Sequence, residues 1–194
     1  MSLRSKTPQD QATPRADQRY EKAGDFFAIA APTRTQRLAY SALLASLALI
    51  FSYIEVLIPF NFGIPGVKLG IANLVVIVAL YYLGPRYAFI INMIRVFVAG
   101  LLFTGLFGCL YSLAGALLSF AMMLLIKKTG LFSVTGVSIC GGVFHNLGQI
   151  LVATVLVSSL KMFAYFPVLI ISGVISGTII GIVAWLILQR LPRA

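Results

Sequence analysis

From about residue 36 to residue 188 the chain is a succession of apolar stretches, each near the ~20 residues that a helix needs to cross the hydrocarbon core of a bilayer. This pattern restricts the fold more than any motif does. In lipid every backbone N–H and C=O has to be satisfied internally, and a helix does so within one segment. The first stretch runs from about Gln36 to Ile58 and stops at Pro59, and the second from about Val67 to Leu83 between Pro65-Gly66 and Gly84-Pro85. The third spans about Arg86 to Thr104, the fourth Cys109 to Ile126, the fifth Ser133 to Leu160 and the sixth Phe163 to Leu188. Only Gly105-Leu106-Phe107-Gly108 joins the third to the fourth, which predicts a tight antiparallel hairpin. With 60% hydrophobic residues, 10% charged residues and a mean hydropathy of +0.99, the chain lies far from soluble globular norms. The expected fold is all-α and integral to the membrane: a six-transmembrane-helix bundle over residues 34–194 with no second folded domain.

Residues 1–33 differ. Arg4, Lys6, Arg15, Arg19, Lys22, Asp10, Asp17, Glu21 and Asp25 are mixed there with Pro, Gln and Ser, without a sustained apolar period. That composition predicts a disordered tail. It offers neither the apolar stretch nor the cleavage site of a signal peptide, and Phe26 to Ala31 is too short to span.

Lys and Arg placement sets the expected orientation, because these residues are retained on the cytoplasmic side. With the amino terminus inside, the tail, Arg34, Arg37, Arg86, Lys127, Lys128, Arg190 and Arg193 are all cytoplasmic, and only Lys68 and Lys161 lie outside. The expectation is N-in and C-in, multi-pass, in the cytoplasmic membrane of a prokaryote. The net charge of +10 then marks the inner edge of the membrane and calls for no nucleic-acid partner.

Polar residues inside the spans are costly and therefore informative. Arg95 sits near the middle of the third stretch, one turn from Asn92, so both project from one face. The fifth stretch adds His145, Asn146 and Gln149, with His145 and Gln149 four apart on one face. Asn73 and Lys68 lie near the outer end of the second stretch and Glu55 near the outer end of the first. Together they predict a polar ligand pocket open to the outside. Blander roles exist for each. Glu55 and Lys68 also fit a rim ion pair, Asn73 and Asn92 also fit interhelical hydrogen bonding, and a lone histidine also fits a satisfied core residue.

The chain does not read as an enzyme. Of its five acidic residues only Glu55 lies beyond Asp25, which leaves no carboxylate pair for acid–base work and no cluster to hold magnesium on a diphosphate. There is no P-loop, no second histidine for a metal site, and no CxxC pair, since Cys109 and Cys140 are far apart. No cofactor or metal is expected.

Small residues mark close approaches. Gly173, Gly177 and Gly181 recur at intervals of four in the sixth stretch, a spacing that fits internal packing or a dimer face. Ser112, Gly115 or Ala116, and Ser119 repeat the idea in the fourth stretch. In the first, Ser41 with Ala45 and Ala42 with Ser46 form two overlapping pairs near the cytoplasmic end, which fit packing or partner docking.

Lys68-Leu-Gly-Ile-Ala-Asn-Leu74, Arg95, Ser112-Leu-Ala-Gly-Ala116, and Ser138 to Gln149 with Gly141 and His145-Asn-Leu-Gly-Gln149 resemble the family labelled heptaprenyl diphosphate synthase component I, also called the Gx transporter family. The resemblance covers essentially Arg37 to Leu188. It implies a six-helix relative of the substrate-binding S subunits of energy-coupling factor transporters, which take a vitamin-like solute from outside and dock on a membrane scaffold carrying two ATPases. The family's docking motif, Ala-x-x-x-Ala in the first helix, falls here on Ala42 to Ser46 or Ser41 to Ala45, and neither pair is the unaltered motif. The aspartate-rich motifs of prenyl transfer are absent. The expected function is binding of a small anionic or polar solute, of vitamin or isoprenoid type, by an uptake system. Two alternatives stand beside it: a noncatalytic membrane component associated with heptaprenyl diphosphate or quinone synthesis, and an assembly factor of a membrane redox complex.

Overall fold

The computed structural model describes residues 33–57 and 70–191. The tail expected over residues 1–33, Thr33 apart, lies outside the described residues, as does Lys68. Among the described residues there are six α-helices and no strand: α1 (Arg34–Leu57), α2 (Ile71–Tyr82), α3 (Pro85–Ala99), α4 (Gly105–Thr129), α5 (Val134–Val157) and α6 (Phe166–Arg190). A π-helical turn, Gly100–Thr104, joins α3 to α4, and a 3-10 segment, Leu160–Tyr165, precedes α6.

Local chemistry sets the boundaries. Gly84 at φ 94° turns the chain before α3, and Pro85 occupies the helix start, where its missing N–H costs no hydrogen bond. Gly130, left-handed at φ 68°, ends α4 behind Lys127 and Lys128. Ser133 caps α5 by accepting the Gly136 N–H at 3.3 Å.

Four stretches are long and apolar enough to cross a membrane: Arg34–Leu57, Pro85–Thr129, Val134–Val157 and Leu160–Arg190. The second of these is 45 residues long and is not one rod. A Cβ added at Gly100 would stand 2.8 Å from Cys109 Cβ, and Phe89 stacks on Phe120 with ring centroids 5.5 Å apart. Nine residues of straight helix would separate their ends by about 13 Å, so the run folds back on itself. The expected hairpin is present, but it is tighter than the four-residue link read from sequence. Gly105, at φ 74° and ψ −177°, reverses the chain in a conformation open to glycine, and Gly105 to Gly108 already belong to α4. At 12 residues, α2 is shorter than the expected second span.

The helices alternate in direction. Tyr40 of α1 meets Tyr82 of α2 edge-on at 5.8 Å, and Lys127 of α4 donates to the Leu80 carbonyl at 2.6 Å. These contacts, with Gly181 of α6 lying against Thr135 at the start of α5, gather Arg34, Arg37, Arg86, Lys127, Lys128 and Arg190 at one end of the bundle.

Glycine decides which helices touch backbone to backbone. Cβ atoms added at Gly173, Gly177 and Gly181 would come within 2.6–2.9 Å of α5 backbone at Val143, Ile139 and Thr135. This face is therefore occupied within the chain, the internal packing that the spacing allowed, and not a dimer surface. On the opposite side of α5, Gly148 meets Gly115 of α4, where an added Cβ would lie 2.8 Å from the Gly115 Cα.

Candidate functional site

At the end of the bundle away from the cations, all six helices contribute to one cleft of about 80 Å³. Arg95 stands on its wall. Its Nη2 donates to the Asn92 carboxamide oxygen at 2.9 Å and toward that of Asn73 at 3.4 Å, and its Nε finds no hydrogen-bond partner among the described residues. A guanidinium held by neutral amides rather than neutralised by a bidentate carboxylate keeps most of its charge available to an anion. Glu55 lines the same cleft and is the charge that acts on Arg95 there.

The carboxylate of Glu55 has a structural duty as well. It accepts the backbone N–H of Ile71, the first residue of α2. Gly70, left-handed at φ 71°, makes no side-chain cap. Glu55 therefore supplies from α1 the anion that a helix amino terminus favours. This contact gives Glu55 a role on the α2 backbone, and its expected rim ion pair with Lys68 falls outside the described residues.

Four polar groups come from α5 and α2. Asn73, His145, Asn146 and Gln149 line the cleft with Arg95 and Glu55, so six of the eight residues expected at a ligand site converge. Asn92 does not line it. That residue is 2% exposed and sits behind Arg95, orienting the guanidinium. Lys68 lies outside the described residues. Asn146 donates at 2.7 Å to the Leu169 carbonyl of α6, so its amide spans a helix interface as well as bordering the cleft.

The site depends on Gly115. A Cβ there would stand 2.9 Å from Gln149 Cγ and from the His145 carbonyl, so only glycine lets α4 approach α5 at this level. Sequence reasoning missed the hydroxyls of Ser52, Thr104, Ser112 and Ser176, which also line the cleft. Single hydroxyls are common in membrane helices because they bond to the preceding turn. Ser52 and Thr104 do so at 2.9 and 3.0 Å, so these residue types carried little signal. The usable signal was spacing: Ser52 with Glu55, and Gly142 with His145 and Gln149, share one helix face each.

The docking pairs in α1 separate. Ser41 and Ala45 are half-buried, and Ala45 packs against the core, whereas Ala42 and Ser46 are exposed. Ser41 and Ser46 return their hydroxyls to the Arg37 and Ala42 carbonyls at 2.7 and 3.0 Å.

Together these features define a helical protein with helices long and apolar enough to cross a membrane and a polar cleft at one end. Residues 44–187 match the family described as heptaprenyl diphosphate synthase component I, and the chain belongs to that family. No curated protein and no solved structure matches it.

Proposed function

We propose that this protein is the solute-binding membrane subunit of an energy-coupling-factor-like uptake system, taking a small anionic or polar solute of vitamin or isoprenoid type. In this reading six helical passes cross the cytoplasmic membrane with both termini inside. The segregation of Arg34, Arg37, Arg86, Lys127, Lys128 and Arg190 at one end supports that orientation. The cleft then opens outside. Helix α2 need not cross alone: it runs from the level of the cleft to the cationic end, enclosed by its neighbours.

The observation that carries the proposal is Arg95. A cation is expensive in a bilayer unless protein or water surrounds it, and here it borders a polar cavity while two amides fix its direction. The chain binds and does not catalyse, since Glu55 is its one carboxylate beyond residue 25. A membrane scaffold with two ATPases would meet α1 at the exposed Ala42 and Ser46, and movement of that partner would carry the site inward.

The test is mass spectrometry of the protein purified from its native membrane, reporting the bound small molecule and the polypeptides that travel with it. A small anionic or polar molecule and ATPase subunits are expected, with the molecule lost from Arg95→Ala. Copurification with a soluble prenyltransferase would favour the synthesis-associated role, and retention of the same molecule by Arg95→Ala would overturn the site.

A further inference from the structure

Deeper in the bundle, toward the cationic end, lies a second cavity of about 20 Å³ lined among others by Asn73, Ile77, Ser119, Met123, Ser138 and Ser176. It shares Asn73, Gly142 and Ser176 with the outer cleft, so the two are stacked and nearly continuous. Ser119 and Ser138 are 4% and 5% exposed. The other two buried helical hydroxyls among the described residues return to the preceding turn: Ser52 bonds the Ala48 carbonyl, and Thr154 that of Ile150 at 2.8 Å. Ser119 and Ser138 make no hydrogen bond among the described residues, and both border the cavity. They reach it from different sides: Ser119 lies beside Gly141, where an added Cβ would stand 2.7 Å from the Met123 sulfur and 3.3 Å from Ser119 Oγ, and the Ser138 Cβ lies 2.9 Å from one added at Gly181 of α6.

The geometry points to one ordered water in this chamber, held by Ser119 and Ser138 and bridging to the Asn73 carboxamide. A water needs roughly 10–15 Å³ of such space and two to four polar partners. The chamber has room for one, and Asn73, Ser119, Ser138 and Ser176 supply four polar side chains. A dry chamber would leave the two hydroxyls that open onto it without partners, which is destabilising. A cation is disfavoured, because no carboxylate lines the space and Arg95 already points at Asn73. The water fixes the lower side of the Asn73 carboxamide while Arg95 takes its oxygen. Ser119 and Ser138 are therefore positioning residues for the outer cleft, acting through the water and Asn73, and this holds whatever solute the cleft accepts.

X-ray radiolytic footprinting of the full chain in lipid nanodiscs tests the assignment, because radicals formed from a bound water oxidise the side chain beside it. Met123 lines the chamber at only 5% exposure, and thioether oxidation to the sulfoxide is read peptide by peptide. Met123 is expected to oxidise at a rate comparable to the half-exposed Met93 and Met122. In the Ser119→Ala/Ser138→Ala variant its rate falls several-fold while that of Met162 is unchanged, and Ser138→Ala alone gives a smaller fall if the double variant folds poorly. An unmodified Met123 at doses that convert Met162, or a rate equal in wild type and variants, would overturn the chamber water and leave the outer cleft untouched.

Discussion

Helices α1 and α2 are built from the same kinds of apolar residue but occupy opposite environments. Of the 24 residues of α1 only Ala48 and Ser52 are buried, whereas seven of the 12 in α2 are, from Ala72 through Val75 to Leu80. Helix α2 is enclosed by α1, α3 and α6. Helix α1 presents Leu38, Leu43, Ile50 and Leu57, each more than half exposed, to the surroundings. In water such a face would be a large apolar patch requiring a partner. Against lipid tails, which are as apolar as leucine, it needs none. Apolar character therefore does not rank helices from centre to edge in this protein, and close packing and polar contacts do so instead.

The largest expected effect follows from that ranking. Ile77→Ala, at 1% exposure in α2, should lower stability in detergent by about 2 kcal/mol or more, whereas Ile50→Ala, 54% exposed in α1, should change it by less than ~0.5 kcal/mol. Thermal unfolding of the two variants checks the pair, and equal losses would erase the distinction between the helices.

The seam between them is expected to be intermediate. Glu55→Ala removes the acceptor of the Ile71 N–H and should cost about 1 kcal/mol. Hydrogen exchange would show it as faster opening of the first turn of α2 with α1 unaffected, and Glu55→Gln should lose less because it keeps an acceptor.

The smallest effect is at the other end of α2, where Lys127 donates to the Leu80 carbonyl and lies 4.3 Å above the Tyr81 ring. Lys127→Met should destabilise by roughly 0.5–1 kcal/mol. Thermal unfolding and exchange at residues 79–82 would register it, and no change at either would mean that the carboxyl end of α2 is held by packing alone.

Helix positions were readable because Pro59 and Gly84-Pro85 interrupt apolar runs with backbone preferences that no neighbour needs to supply. The convergence of Arg95, Asn73, His145 and Gln149 was readable because buried polar groups in apolar helices have few places to go. Asn92 was misplaced as a lining residue, since helical periodicity puts it on the face of Arg95 without showing which of the two reaches the cleft. The GxxxG run of α6 was legible as an internal packing face, but its partner was not, because α5 meets it along the glycines only in space.

What the amino-acid sequence determined alone is the helical, apolar character of the chain, its breaks, and the gathering of cations at one edge. All of these follow from backbone satisfaction in lipid and from local conformational preference. What only the tertiary structure decided is which surfaces meet: α2 at the centre, α5 between two glycine seams, Glu55 on the α2 amino terminus, and Ser119 and Ser138 on one inner chamber. Those choices depend on packing between segments that hydrophobicity leaves equivalent, so they are settled where side chains and backbones come into contact.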